Sequence, residues 1–200
     1  GTGLHVLELF HGPTLAFKDM ALQLLPCLLP EAAARCSAAK NVLILTATSG
    51  DTGKAALEGF RDKEGVRILC YFPNRGVSGM QWRQMVCQQG ANVRSVAVRG
   101  NFDDVQRGIK RIFSDADFAA HAAAEGFLLS SANSINFGRL APQIAYYFHA
   151  YAQLVRGGVL VRGEKAVFVV PTGNFGNILA GLYAQEMGLP VSRLVCASNR

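Results

Sequence analysis

Residues 42–47, Val-Leu-Ile-Leu-Thr-Ala, form a short continuous apolar run with β-branched members. A run of this kind marks a strand buried on both faces of a parallel sheet, which demands helices above and below it. The alternation repeats along the chain. Strands are expected at 66–72, 93–98, 127–130, 166–171 and 193–198. Helices are expected from Lys54 to Arg61, over 79–89, 102–114 and 115–124, and after residue 177 to Met187. A leucine- and alanine-rich stretch from Asp19 to Ala39 reads as a helix interrupted by Pro26 and Pro30. The longest helix is expected over Arg139–Arg156, where Tyr146, Tyr147, Phe148 and Tyr151 recur at helical spacing. That aromatic group suits a core or inter-domain face, with ligand stacking as the alternative. Strands alternating with helices of this length predict βαβ units in a twisted parallel sheet. Right-handed crossovers then bring the strand-to-helix turns to one edge, where ligands bind in such folds.

A chain of 200 residues that is 50% hydrophobic can build one ordinary domain or two small ones. No apolar run reaches the ~18 residues of a membrane span, and the first residues lack the basic-then-apolar layout of a signal peptide. The expectation is a soluble, cytoplasmic chain with no membrane partner. Five cysteines, odd in number and without a Cys-x-x-Cys pair, indicate neither a disulfide framework nor a metal site. The net charge of +6 suits anionic ligands, yet the basic residues are scattered, and no run of them predicts nucleic-acid binding.

Four stretches carry chemistry. In LFHGPTLAFKD, residues 9–19, one lysine, Lys18, follows an apolar or small run. Partial desolvation there would make it a nucleophilic amine, while the plainer reading is a lysine whose stem packs on Phe17 at a helix start. His11 could titrate beside it or serve the turn. In TGNFGN, residues 172–177, Gly173 and Gly176 let the backbone approach a ligand. Successive amides at a helix start form an anion cup, unless this is only a tight turn. A lysine with a phosphate cup suggests pyridoxal phosphate held as a Schiff base. The turn TSGDTG, residues 48–53, adds Thr48, Ser49 and Thr52 hydroxyls. It fails the P-loop pattern, because Thr48 stands where glycine is required and Ala55 where serine or threonine is. It also lacks the Gly-x-Gly of a dinucleotide fold. A carboxylate pocket survives. The stretch SANSINFGR, residues 131–139, gathers Asn133, Ser134 and Arg139, a donor set suited to a phosphate monoester or, alternatively, a capped helix start with a surface arginine. Asp103 and Asp104 fit the first turn of a helix, where the dipole favours negative charge.

Taken together, LFHGPTLAFKD, TATSGDTG at 46–53, SANSINFGR and PTGNFGN at 171–177 resemble the threonine synthase family in order and spacing. The resemblance covers nearly the whole chain. It implies an α/β architecture of three-layer parallel twisted sheets, the fold-type II pyridoxal phosphate (tryptophan synthase β-like) architecture, incomplete at both ends. It also implies a division into 1–40 and 158–200, parts of a large domain, and 41–157, a small one. The implied activity is a carbon–oxygen lyase that converts O-phosphohomoserine and water into threonine and phosphate. A phospholyase giving 2-oxobutyrate and a non-catalytic phosphate-ligand module are the alternatives. By the same resemblance, Lys18 would be catalytic and bind the cofactor. Asp51, Gly173, Asn174, Phe175, Gly176 and Asn177 would bind pyridoxal phosphate, and Thr48, Ser49, Gly50, Thr52, Asn133, Ser134 and Arg139 the substrate. Asp51 stands where related enzymes offer asparagine to the cofactor's phenolic oxygen, so it has to be protonated, turned away or paired. Monomer and homodimer both remain open.

Overall fold

The run at 42–47 is the heart of β1 (Asn41–Ala47), an inner strand of a four-stranded parallel sheet. On one side β1 pairs with β2 (Val66–Pro73), from Val42↔Val66 to Ala47↔Tyr71, and β2 pairs with β3 (Val93–Val98). On the other it pairs with β4 (Phe127–Ser130), from Asn41↔Phe127 to Ile44↔Ser130. The order β3-β2-β1-β4 reverses beside β1. The carboxyl ends of β1 and β4 therefore flank the topological switch point, where open α/β sheets bind their ligands. The protein is seen in a computed structural model that describes residues 3–36, 41–48, 50–134 and 136–198. It divides into two units, Glu8–Asn133, which holds this sheet, and Ser134–Arg200 with Gly1–Leu7.

In the first unit the helices cover both faces of the sheet. Leu22 and Leu25 of α1 (Asp19–Cys36), Leu57 and Phe60 of α2 (Asp51–Phe60) and Met85 of α3 (Gly79–Val86) share a core with Val42, Ile44, Ile68 and Phe72. Val105 and Ile109 of α4 (Phe102–Ser114) close the opposite face over Leu45 and Ala47. The three-layer arrangement expected from the continuous apolar run is thus present. Burial of both strand faces is what that run encodes. After α4 come α5 (Ala116–Ala124) and then β4.

Local chemistry and packing set the elements, and three departures from expectation have a traceable cause. First, α1 is continuous, with Pro26 and Pro30 inside it. Pro26 cannot donate to the Leu22 carbonyl; Gly59 of α2 sits against that oxygen so closely that a Cβ would overlap it. Close packing onto α2 holds a helix that proline alone would interrupt. Second, α2 begins at Asp51, not Lys54, because the Thr48 hydroxyl accepts from the amides of Gly50 and Gly53 and does the work of a cap. Third, the expected 139–156 helix is divided into α6 (Phe137–Leu140), a 3₁₀ turn (Ala141–Gln143) and α7 (Ile144–Arg156). Pro142 lies in that turn and has no N–H to continue an α-helix. At 18 residues α1 is longer than α7 at 13. The start of α4 agrees with expectation: Asn101 and Asp104 form a capping box, with Asp103 in the same first turn.

The second unit pairs β5 (Ala166–Pro171) with β6 (Val191–Ala197) in parallel, joined by α8 (Gly176–Glu186). Tyr146, Tyr147 and Tyr151 of α7 are buried, and Phe148 is 37% exposed. The Tyr147 ring meets Phe168 edge-on at 5.2 Å and lies over Gly181, where a Cβ would approach it to 2.7 Å. Tyr151 donates its hydroxyl proton to the Glu164 carbonyl and accepts from the Gly163 amide. The tyrosines of α7 are core. Among the described residues no helix is long and apolar enough to cross a membrane, and no group of three or more His, Cys, Asp or Glu is placed to hold a metal ion.

Candidate functional site

In the first unit the sequence candidates gather at the switch point. Lys18 ends a loop that leads into α1, and its Nζ lies 2.6 Å from Oδ2 of Asp51, in the first turn of α2. Its side chain is 12% exposed, and the amine also sits 4.3 Å from the Phe17 ring centroid. Of the three fates open to Asp51, pairing is the one observed. A carboxylate in the first turn of a helix is favoured by the helix dipole and complements the ammonium beside it. His11 turns away to Glu8, at 2.8 Å, with a side chain 69% exposed. The turn is its place.

The loop that presents Lys18 is held by the next residue. Asp19 is buried, and its carboxylate accepts from the Thr14 amide (2.9 Å), the Thr14 hydroxyl (2.5 Å) and the Ala16 amide (3.3 Å). Leu15 closes the turn at φ 59°, with its amide on the Gly12 carbonyl. A side chain at Gly12 would overlap the Asp19 carboxylate. Sequence reasoning assigned Asp19 no role. The sequence showed only an acid in the first turn of a helix, where the dipole favours negative charge.

The 48–53 turn is built differently from a row of outward donors. Thr48 is buried, and its hydroxyl accepts from the amides of Gly50 and Gly53 while donating to the Gly50 carbonyl. It shapes the loop from within. Gly50 is crowded by Gln81 of α3, whose side chain would collide with a Cβ there. Gly53 has no room for one against Thr48, Cys70 and Met85. Thr52 is half-buried in the opening turn of α2. Ser49 lies outside the described residues.

Asn133 belongs to the same place. Its Oδ1 accepts from the Thr46 hydroxyl (3.1 Å), the Ala47 amide (3.2 Å) and the Ser131 hydroxyl (3.1 Å), and its Nδ2 donates to the Ala47 carbonyl (2.7 Å). The side-chain amide thus imitates one more rung between β1 and the segment after β4, beyond the point where strand pairing stops. Asn133 was expected among the side chains that grip a substrate phosphate. Here its polar atoms serve the backbone of β1.

In the second unit the 172–177 bend follows β5 and opens α8. Phe175 precedes the helix in the left-handed region at φ 56°, and its amide donates to the Thr172 hydroxyl at 3.2 Å. The opening turn of α8 then presents N–H groups that a helix does not use internally, with the positive end of its dipole behind them. Gly173 faces open space, and no acidic side chain interrupts residues 172–177. Ser134 lies against Gly176, whose Cβ would stand 3.3 Å from that of Ser134. A cavity of about 410 Å³ is lined by Ser134, Asn174, Phe175, Gly176 and the leucines of α8, among others. Arg139 is buried at 5% exposure. The side chain of Asn177 is turned inward: Oδ1 lies 2.9 Å from the Tyr147 hydroxyl, and Nδ2 donates to Gln143 at 3.0 Å. Burial raises the Tyr147 phenol well above its ordinary range. Gln143 was also missed. Its spacing of four from Arg139 on a helical stretch was the available signal.

No family model matches the chain. It is 48% identical over 98% of its length to human threonine synthase-like 1, of which it spans 27%. It is 50% identical over 98% of its length to threonine synthase from Pseudomonas aeruginosa, of which it spans 39%. Among solved structures, the pyridoxal phosphate-bound threonine synthase from Brucella melitensis superposes with a TM-score of 0.80 at 44% identity, covering 96% of this chain and 39% of that one. Structure and sequence agree along the whole chain, and the chain belongs to the threonine synthase family, matching a part of its members' length.

Proposed function

We propose that the protein of which this chain forms part is a pyridoxal phosphate-dependent lyase of the threonine synthase type, converting O-phosphohomoserine and water into threonine and inorganic phosphate. The observation that carries this reading is the 50% identity to a threonine synthase over 98% of the chain. The residues present fit the cofactor. A half-buried amine stands at the switch point of a parallel sheet, and a glycine-containing, acid-free bend lies at a helix amino end.

Lys18 would attach to the cofactor through its amine and, once displaced by the substrate's amino group, accept the α-proton. Asp51 compensates the Lys18 charge and orients the amine. Gly173, Asn174, Gly176 and Asn177 would hold the cofactor phosphate through backbone amides, with Phe175, whose own amide is bonded to Thr172, shaping the bend they line. The 48–53 turn, Gly50 and Thr52 included, would receive the substrate carboxylate, with Thr48 shaping it from inside. Ser134 and Arg139 would hold the substrate's phosphate as it leaves, and Asn133 would fix the segment that leads to them. When bound, the cofactor supplies an electron sink for the negative charge left on the substrate. The assignment of 1–40 and 158–200 to a large domain and 41–157 to a small one belongs to the same proposal.

The 48% identity to threonine synthase-like 1 favours a second reading, a phospholyase with the same cofactor and substrate that releases 2-oxobutyrate, ammonia and phosphate. In the full-length protein, Lys18→Ala should abolish the visible absorbance of bound cofactor and all turnover. Retained absorbance overturns the assignment of Lys18. Product analysis with O-phosphohomoserine separates the readings, threonine supporting the first and 2-oxobutyrate the second.

A further inference from the structure

Two of the cradles assigned above lie in one unit, and a buried side chain bonds to both. Gln143, in the 3₁₀ turn between α6 and α7, is 2% exposed. Its Nε2 donates to the Arg139 carbonyl at 2.9 Å, and its Oε1 accepts from Nδ2 of Asn177 at 3.0 Å. Asn177 stands in the first turn of α8 and is held from its other side by the Tyr147 hydroxyl, 2.8 Å from its carbonyl oxygen. The path runs from the backbone of Arg139 through one amide to the base of the 172–177 bend. We propose that Gln143 is a positioning residue that keeps the Ser134–Arg139 segment in register with the 172–177 bend, and so sets the spacing between the two phosphate groups the site would hold.

The physical basis is geometric. A glutamine buried this far has two polar ends to satisfy, and each finds its partner on a different cradle. Because the amide is rigid, donor and acceptor stand at a fixed separation, so movement of either cradle breaks a bond that water cannot replace. An apolar residue could fill the space but could not transmit that register.

This inference rests on the proposed function, and the test separates the two. In the full-length protein, Gln143→Ala should raise both the dissociation constant for pyridoxal phosphate, read from visible absorbance, and the KM for O-phosphohomoserine. Each should change about tenfold, the worth of one buried hydrogen bond, with kcat changed less. Arg139→Ala should raise KM alone. Gln143→Met fills the space without the bonds and should show the same two-sided loss. Recovery of both affinities in that variant, or unchanged values in Gln143→Ala, overturns the proposal. Failure of the unmutated protein to take up cofactor would sink the functional reading instead. Amide hydrogen exchange on the cofactor-free protein then decides the inference by itself: Gln143→Ala should quicken exchange in both 136–140 and 175–179, and unchanged exchange in either segment overturns it.

Discussion

At the scale of single residues, the acid beside the lysine is the one to test. Asp19 gathers three donors from the loop before it while fully enclosed, and Gly12 exists to let the carboxylate through. Hydrogen bonds to a charged acceptor contribute roughly 1.5–3 kcal/mol each, and loss of the acceptor strands buried amides. Asp19→Ala should therefore destabilise the fold by about 3 kcal/mol in urea unfolding. Asp19→Asn should recover only part of this, because its NH₂ would face donors. Cofactor uptake by Asp19→Asn should also slow, since the loop that aims Lys18 is loosened. The motif that carries Lys18 was legible in the sequence, and so was the acid next to it. What could not be read was that the Asp19 carboxylate turns back towards residues 14 and 16.

At the scale of elements, most strands and helices follow from periodicity, and two of the departures turn on proline. A proline's local effect is certain, but its consequence depends on what packs nearby. Pro26 was expected to interrupt α1, and Gly59 keeps the helix whole by letting α2 lie against the Leu22 carbonyl. Pro142 does interrupt its helix. Gly59→Ala should thus cost about 1–3 kcal/mol, the range for an added group in a close-packed contact, although alanine is the better helix former. Thermal or urea unfolding of that variant checks the point, and a neutral or stabilising result would show that the α1–α2 contact relaxes. The early start of α2 at Asp51 has a different origin, since a threonine hydroxyl three residues upstream supplies the cap.

At the scale of the whole molecule, two units with separate cores meet in the chain inside one motif. Ser131 and Asn133 serve the sheet of the first unit, and Ser134 and Arg139 belong to the second. Burial also governs the response to alkali. The Cys70 thiol, enclosed in the core under α2, is pushed up to about 12, and burial raises the Tyr71 and Tyr147 phenols as well. An unfolded chain gives up the thiol proton near pH ~8.5 and phenol protons near ~10. The stability these groups contribute is whole below those values and declines as pH climbs towards their folded ones. Urea midpoints should fall progressively above pH ~8.5, with a shallower slope in Cys70→Ala. At pH 8 the exposed Cys27, Cys36, Cys87 and Cys196 should react with a thiol reagent in the native protein, and Cys70 only on unfolding.

By itself the sequence determined the kind and order of the elements, the parallel sheet, the lysine and the turns that flank it, because each of these follows from local periodicity or from residue types a few positions apart. Only the tertiary structure decided which polar side chains look outward and which hold the scaffold. Asn133 finds the Ala47 amide 86 residues away, Asn177 finds Gln143 at a distance of 34, and Asp51 meets Lys18 across 33. A hydrogen-bonding group takes whichever partner the fold brings within bonding distance, and that choice is made through space, not along the chain.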